Sequence, residues 1–199
     1  MIKAVIFDVG GVIVTRVLRN MARDLSKKHG MDFDFLNRAI HTGWNEYKLD
    51  KITADKFWQH FVDESKISET VEGLKKMALE YISEVPGTMD VVRSLKGRYK
   101  LAILSNNANE WVEKEKKIID FEGIFDVVIL SNEVKIAKPY KEIYMLCLEK
   151  LGNLRPEECI FVDDQGNNCE AAKKLGFNTI KFEDAEQLKK ELNDFGVET

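Results

Sequence analysis

The sequence lacks the features that mark nucleic-acid-binding and membrane proteins. It has no surplus of basic residues, because 30 Lys and Arg stand against 34 Asp and Glu, and the formal net charge at pH 7 is −4. Proteins that bind a nucleic-acid backbone need clustered positive charge, so no nucleic-acid partner is expected. No apolar run approaches the ~20 residues that cross a bilayer, and the N-terminus does not have the long apolar segment of a signal peptide. We therefore predict a cytoplasmic protein without a membrane partner.

Cysteine and proline are also scarce. The three cysteines, Cys147, Cys159 and Cys169, are an odd number without CxxC spacing, which argues against a disulfide framework and against a zinc site. We predict three buried or half-buried thiols in a reducing compartment. With only 3 prolines and 44% hydrophobic residues, a chain of 199 residues is long enough to bury a sizeable core without a disulfide or a structural metal. Its length predicts one domain, or one domain with a modest insertion.

Five short apolar runs rich in β-branched residues predict the strands of a parallel sheet. They are continuously apolar rather than alternating, as is typical of strands covered on both faces. Segments whose apolar residues have helical spacing follow the second, third and fourth runs. This alternation of strand and helix favours a Rossmann-like, doubly wound α/β fold. The runs are Lys3–Phe7, Leu101–Leu104, Val127–Leu130, Cys159–Val162 and Thr179–Phe182, and the predicted helices between them are Trp111–Ile119, Ile143–Leu151 and Cys169–Leu175.

The interval between the first two strands is far longer than a simple crossover needs. About ninety residues separate Phe7 from Leu101, whereas a crossover takes roughly a dozen. The apolar residues between Val17 and Glu84 have helical spacing. We therefore predict a small all-helical cap over residues 16–84, inserted after the first strand of an α/β core made of residues 1–15 and 85–199.

Polar residues follow the predicted strands where a ligand site is expected. In open α/β sheets, ligands bind beyond the carboxyl ends of the strands. Asp8 follows the first strand, Ser105 and Asn106 the second, and Asp163 with Asp164 the fourth, while the segment Lys138-Pro139 lies a few residues beyond the third.

Each of these residues alone is explained by an ordinary turn or helix cap. Their joint occurrence after the correct strands predicts one crevice that holds three carboxylates and an ammonium group. Carboxylates so close together repel one another unless a cation joins them, and hard oxygen ligands suit Mg²⁺.

These segments together resemble the haloacid dehalogenase (HAD) superfamily. The resemblance covers the whole chain and rests on AVIFDVGGVIV, LAILSNN, KIAKP and IFVDDQGNNCEAAKKLGF. The helical insertion is similar to the cap of one class of this superfamily. Within it, the sequence is most similar to sugar-phosphate phosphatases and to the N-terminal phosphatase domain of soluble epoxide hydrolases, a likeness that includes the cap segment from Trp44 to Trp58. The resemblance implies a Mg²⁺-dependent phosphatase acting on a small phosphorylated metabolite.

The resemblance also implies roles for individual residues. Asp8 would be the nucleophile that forms an aspartyl-phosphate. The metal would be held by Asp8, the backbone carbonyl of Gly10 and Asp164, with Asp163 as a ligand or as a neighbour of the ligands.

The remaining residues of the motifs would bind the substrate or orient the site. Lys138 would restrain Asp8 and neutralise developing charge, and Asn168 would orient the groups around the metal. Ser105 and Asn106 would donate hydrogen bonds to the phosphoryl oxygens, and Val9, Gly10 and Lys138 would complete the substrate site.

One position departs from the pattern of the family's phosphatases. These have a second Asp two residues after the nucleophile, which acts as general acid and base, and this chain has Gly10 there. Loss of such a group typically lowers the rate about 10²–10⁴-fold. A cap residue or the substrate itself would have to supply the proton. Candidate cap residues for substrate contact are Arg16, His41, Trp44, Asn45 and Lys48. Packing within the cap is the better explanation of Trp44, and a solvated surface position is the better explanation of Arg16, His41 and Lys48.

Gly10 leaves alternatives open. A 2-haloacid dehalogenase would use Asp8 to displace halide, and the dehalogenases also have a non-acidic residue at this position, but the Asp163-Asp164 pair is better explained by a metal. A catalytically weak member would bind a phosphorylated ligand or a partner protein without turnover. Metal dependence of turnover separates phosphatase from dehalogenase, and stabilisation by ligand without phosphate release identifies the weak member. The sequence fixes neither the substrate nor the oligomeric state.

Overall fold

A five-stranded parallel sheet lies at the centre of the computed structural model, which describes residues 1–199. The strand order is β3-β2-β1-β4-β5, and every neighbouring pair is parallel. The predicted apolar runs correspond to these strands within one or two residues at each end. The strands are β1 (Ala4–Phe7), β2 (Lys100–Ser105), β3 (Val127–Leu130), β4 (Cys159–Asp163) and β5 (Asn178–Lys181).

Alternate residues of the strands pack into two separate hydrophobic cores. In β1, Val5 and Phe7 belong to the larger core and Ala4 and Ile6 to the smaller one, and all four are fully buried. A sheet with a core on each face is the predicted doubly wound α/β architecture, which is thereby confirmed. The three cysteines are buried and free, as predicted.

Twelve helices complete the fold, and a 3₁₀ turn (Pro156–Glu158) precedes β4. No helix combines the length and apolarity that crossing a membrane would require. The helices are α1 (Val17–His29), α2 (Phe33–His41), α3 (Trp44–Tyr47), α4 (Ala54–Ser65), α5 (Val71–Tyr81), α6 (Thr88–Leu95), α7 (Asn109–Glu115), α8 (Phe121–Ile124), α9 (Ser131–Val134), α10 (Lys141–Lys150), α11 (Gly166–Lys174) and α12 (Ala185–Asp194).

The helix predicted over Trp111–Ile119 is wrong at its C-terminal end. Helix α7 stops at Glu115, and Asp120 starts the separate helix α8, because its side chain accepts a hydrogen bond of 2.9 Å from the N–H of Gly123. A side-chain cap of this kind satisfies one of the free N–H groups at a helix start.

Helices α1 to α5 fill the long interval between β1 and β2. Side-chain oxygens cap three of them: Asp32 accepts from the N–H of Phe35 at the start of α2, and Thr53 and Thr70 begin α4 and α5 in the same way. The two chain segments that join this helical region to the sheet run side by side. Val14 pairs with Glu84 in an antiparallel bridge. The chain therefore passes between the sheet and the helical region near residues 15 and 84, where the boundaries were predicted. The division into two domains stays a prediction.

The aromatic side chains at the centre of the helical region pack closely, and substitution can test this packing. Trp58 is 1% exposed and packs between Phe57 and Phe61, with ring centroids 4.8 and 6.3 Å away. Trp58→Ala leaves a large cavity and should lower the free energy of unfolding by about 3–5 kcal/mol. Phe35→Ala is the control, because the half-exposed Phe35 on α2 should cost less than about 1 kcal/mol. Urea unfolding of the two variants measures both losses in the free energy of unfolding. Equal losses would contradict the described packing of Trp58.

Candidate active site

Asp8 lies at the centre of the sheet edge where the carboxyl ends of the strands meet. It directly follows β1, and its backbone N–H donates to the carbonyl of Val162 in β4 over 2.9 Å. The N–H of Val9 donates to Asp8 Oδ1 over 2.7 Å, so this amide orients the carboxylate. Asp8 is 4% exposed. A buried carboxylate held in one orientation is suited to attack a bound electrophile.

Lys138 joins two of the carboxylates. Its Nζ lies 2.9 Å from Asp8 Oδ2 and 2.6 Å from Asp163 Oδ2, and the side chain is fully buried. Burial alone would lower the pKa of Lys138, but the charges of Asp163 and Asp8 raise it above the ordinary lysine value. The ammonium group therefore stays charged between its two partners.

Asn106 holds Lys138 in place through the backbone. Its side-chain amide donates to the Lys138 carbonyl over 3.0 Å and accepts from the Lys138 N–H over 2.9 Å. The peptide bond between Lys138 and Pro139 is cis. The side chain of Asn106 is thus used for positioning, which leaves Ser105 as the side chain of this segment with free hydrogen-bonding capacity. Ser105 is 1% exposed, and its Oγ has no hydrogen-bond partner.

The two neighbouring aspartates have different surroundings. Both oxygens of Asp163 are occupied, because Asn168 donates to each of them over 3.1 Å and the N–H of Gln165 donates to Oδ1 over 2.8 Å. Asp164 has fewer partners: Arg16 Nε lies 2.5 Å from its Oδ2, and its Oδ1 is buried without any partner. Asp164 is therefore the carboxylate that retains a free oxygen.

The carboxylate cluster has the composition of a site for a hard cation. Oxygens of Asp8, Asp163 and Asp164 lie within 4.8 Å of one another. Burial, together with the charges of Asp163 and Asp164, raises the pKa of Asp8 to about 8 although Lys138 acts in the opposite direction. Burial likewise raises the pKa of Asp164. A divalent cation would offset this repulsion and would satisfy the free oxygen of Asp164, so the residues present fit Mg²⁺.

A cleft of about 710 Å³ opens beside the cluster. Three of the predicted cap candidates line it: Arg16, His41 and Trp44. Trp44 also stacks on Trp111 of α7, with ring centroids 5.1 Å apart. Asn45 is exposed and does not line the cleft.

The interpretation of Lys48 as a solvated charge is wrong. The residue is only 7% exposed, its backbone carbonyl accepts a hydrogen bond from Ser131 directly after β3, and it does not line the cleft. Arg16 keeps 40% of its side chain exposed and pairs with Asp164.

A buried polar network next to the site was missed in the sequence. Ser131 Oγ accepts from the N–H of Asn107 over 3.0 Å and donates to the carbonyl of Lys48 over 2.6 Å. Asn107 donates in turn to the Glu115 carboxylate over 2.6 Å. Ser131 directly follows β3, so its position after a strand was a usable signal. Nothing in the sequence marks Glu115, since an acidic residue on a helix is ordinarily exposed.

Gly11 and Gly10 offer a matched pair of substitutions. Gly11 has a φ of +85°, and a Cβ there would lie 2.5 Å from Asp164 Oδ2, whereas a Cβ on Gly10 would meet nothing within 4 Å. Gly11→Ala should therefore displace Asp164 and lower the free energy of unfolding by about 1–3 kcal/mol. Gly10→Ala should change it by less than about 1 kcal/mol. Thermal unfolding of both variants tests the geometry, and a larger loss for Gly10→Ala would refute it.

The buried carboxyl of Glu115 should make the stability of the protein depend on pH. Burial raises its pKa to about 7, and the hydrogen bond from Asn107 acts in the opposite direction. Between about pH 4.5 and pH 7, Glu115 keeps its proton in the folded protein but loses it in the unfolded chain. Its contribution to the free energy of unfolding therefore falls as the pH rises through this range. The fall amounts to roughly 3 kcal/mol.

Glu115→Gln should remove most of this pH dependence. Between pH 5 and pH 8, the free energy of unfolding should therefore fall less in the variant than in the wild type. Denaturant unfolding at the two pH values measures it, and Glu113→Gln on the exposed side of α7 is the control. Parallel pH profiles for wild type and Glu115→Gln would exclude a buried neutral carboxyl.

The chain is similar over most of its length to several known proteins. The chain is 31% identical over 205 residues to a D-ribitol-5-phosphate phosphatase of Bacteroides thetaiotaomicron, covering 96% of this chain and 97% of that protein. It is 30% identical over 185 residues to a phosphorylated carbohydrates phosphatase of Thermotoga maritima, covering 89% and 83%. It is also 27% identical over 195 residues to an (S)-2-haloacid dehalogenase of Burkholderia cepacia, covering 91% and 83%.

The fold matches solved structures as well. A HAD-family enzyme from Bacteroides thetaiotaomicron, in complex with magnesium and inorganic phosphate, superposes with a TM-score of 0.71 at 24% identity, covering 92% of this chain and 96% of the other. The sequence profile of haloacid dehalogenase-like hydrolases matches residues 2–176. The carboxylates at the ends of β1 and β4, the buried lysine and the whole-length relatives lead to one conclusion: this chain belongs to the haloacid dehalogenase-like hydrolase family.

Proposed function

We propose that this protein is a Mg²⁺-dependent phosphatase that hydrolyses a small phosphorylated metabolite through an aspartyl-phosphate on Asp8. The observation that supports it most is the clustering of Asp8, Asp163 and Asp164 within 4.8 Å around the buried ammonium of Lys138. A dehalogenase needs one nucleophilic carboxylate, whereas the three carboxylates here outnumber the two cationic side chains that pair with them, Lys138 and Arg16. The cluster therefore favours metal-dependent phosphoryl transfer.

Asp164 is the better candidate for a direct metal ligand. Asp163 has both oxygens bonded to Lys138, Asn168 and the Gln165 N–H, so its role would be to position Lys138. We infer that Asp8, Asp164 and the Gly10 carbonyl would hold Mg²⁺, with Asp163 beside them. The bound ion would offset the repulsion between the Asp8 carboxylate and the substrate phosphoryl group and would align the two.

The protein's own residues would perform the remaining tasks. Asp8, oriented by the Val9 N–H, would attack phosphorus, and Lys138 would restrain its second oxygen and stabilise developing charge. The free hydroxyl of Ser105 would donate to a phosphoryl oxygen, as would the backbone N–H of Asn106. Asn168 would keep Asp163 in position.

We further propose a sugar phosphate or sugar-alcohol phosphate as the substrate. The relatives named for ribitol 5-phosphate and for phosphorylated carbohydrates support this class. The cleft of about 710 Å³ is larger than a phosphate group needs, and the side chains of Arg16, Asn37 and His41 line it. Asn37 Oδ1 is buried without a hydrogen-bond partner and could accept from a substrate hydroxyl. The helical region over residues 16–84 would act as the cap that selects the substrate.

A 2-haloacid dehalogenase is the second candidate. Gly10 favours it, because it leaves Asp8 without an acidic neighbour two residues on, and the Burkholderia relative bears that name. Halide release from 2-chloropropionate without a metal would identify this activity.

Asp8→Asn tests the proposed nucleophile. The amide cannot attack phosphorus, so Mg²⁺-dependent phosphate release from an aryl phosphate should fall at least about 10³-fold while the fold persists. Asp194→Asn, at an exposed position on α12, is the control and should keep wild-type activity. Excess chelator should abolish release by the wild type. Turnover retained in Asp8→Asn, or unaffected by chelator, would overturn the proposal.

A further inference from the structure

Positive charge is concentrated on one wall of the cleft beside Asp8. Apart from Asp8 and Asp164, the charged residues that line the cleft are Arg16, Arg19, Lys181 and Glu183. Three basic side chains therefore stand against one acidic side chain here, whereas 34 acidic residues outnumber 30 basic ones in the whole chain. We call the three basic side chains the basic wall.

The backbone places the basic wall directly beside the carboxylate cluster. Lys181 ends β5 and is the register partner of Asp163 in β4, so the two backbones lie one strand spacing apart, about 4.8 Å. Arg16 lies at the start of α1, and its Nε is 2.5 Å from Asp164 Oδ2. Arg19 follows Arg16 by three residues, so the two side chains are neighbours on α1. The basic wall thus borders the two aspartates at the end of β4.

The basic wall has almost no counterions within the protein. The guanidinium group of Arg19 lies over the ring of Phe33, 6.0 Å from its centroid, and forms no ion pair. Such an aromatic contact orients an arginine and leaves its N–H groups free to donate. Lys181 is bonded only through its backbone, whose carbonyl accepts from Gln187. Adjacent like charges repel one another, and an anion bound between them offsets this repulsion.

The transferred phosphoryl group has other partners in the proposed mechanism. Lys138 lies 2.9 Å from the Asp8 carboxylate, and the free hydroxyl of Ser105 is available to a phosphoryl oxygen. The cleft of about 710 Å³ has room for a leaving group beside the phosphoryl group. A leaving group in this cleft would lie against the basic wall. Its free cations therefore bear on the chemistry of the leaving group.

We propose that the leaving group carries a second anionic group, which the basic wall binds. The substrate would then be a phosphorylated sugar acid or a sugar bisphosphate. Carboxylate and phosphate share the chemistry that matters here, because guanidinium groups donate paired hydrogen bonds to either and an ammonium group attracts both. This inference rests on the proposed phosphatase function and narrows its substrate class.

Three phosphates with the same carbon chain test the proposal in the wild type. Ribitol 5-phosphate has a neutral leaving group, 5-phosphoribonate adds a carboxylate, and ribitol 1,5-bisphosphate adds a second phosphate. At least one of the two substrates with an added anion should exceed ribitol 5-phosphate in kcat/KM by about 10- to 100-fold, the range expected for charge-assisted hydrogen bonds. The difference should lie mainly in KM. It should shrink as salt is raised, because salt screens exposed charges.

A double variant, Arg19→Gln with Lys181→Gln, tests whether the basic wall is responsible. Both positions are exposed, and Arg16 is kept because it pairs with Asp164. The ratio of kcat/KM on the preferred anionic substrate to kcat/KM on ribitol 5-phosphate should fall about tenfold. Arg23→Gln is the matched control, since Arg23 is exposed on α1 one turn beyond Arg19 and does not line the cleft. It should keep the wild-type ratio.

The substrate arms also identify the anion. A preference for 5-phosphoribonate assigns a carboxylate, and a preference for the bisphosphate assigns a second phosphate. Equal values on all three substrates, or a preference for ribitol 5-phosphate, would overturn the inference. Proportional losses on all three in the double variant would assign the basic wall to the transferred phosphoryl group, and an unchanged ratio would make its cations solvated charges. Both results would overturn the inference as well.

Failure of the inference is distinguishable from failure of the phosphatase function. Mg²⁺-dependent release from an aryl phosphate, but from neither substrate with an added anion, would overturn the inference and leave the phosphatase function standing. Release from none of the four compounds would refute the phosphatase function itself, and the role of the basic wall with it.

Discussion

The ion pairs of one buried lysine organise the active site. Lys138 Nζ contacts both Asp8 and Asp163, and none of the three side chains has appreciable exposure. Removing such charges from water is costly, so this arrangement persists only because each charge has partners and the remaining oxygens accept hydrogen bonds. Asn106 holds the lysine backbone, and Asn168 holds the second carboxylate. These contacts link the ends of β1, β2 and β4 to the segment that follows β3.

The sequence was sufficient to predict the sheet and most of the site. Continuously apolar runs located all five strands, since a parallel sheet covered on both faces admits few polar residues. The polar residues Asp8, Ser105, Asp163 and Asp164 could be placed together because parallel strands end at one edge. The helix after β2 was misjudged because helical periodicity does not show the new cap at Asp120.

The contacts between the helical region and the sheet could not be predicted in the same way. A lysine in a connecting segment is ordinarily solvated, yet Lys48 is buried in a segment that is hydrogen-bonded to Ser131. Glu115 is similarly hidden by packing that no local pattern reports. Periodicity identifies which face of a helix is apolar, but it does not identify which polar residue of a connecting segment a neighbouring element will cover.

Acid quenching during turnover tests most directly whether Asp8 carries the phosphoryl group. The wild type would be mixed with an aryl phosphate and Mg²⁺, quenched in acid within one turnover, and digested for mass spectrometry of the peptide that contains Asp8. We expect a phosphoryl adduct on Asp8 that forms only with the metal and disappears as phosphate is released. An adduct on a different residue, or phosphate release with no adduct at any time, would contradict the proposed mechanism.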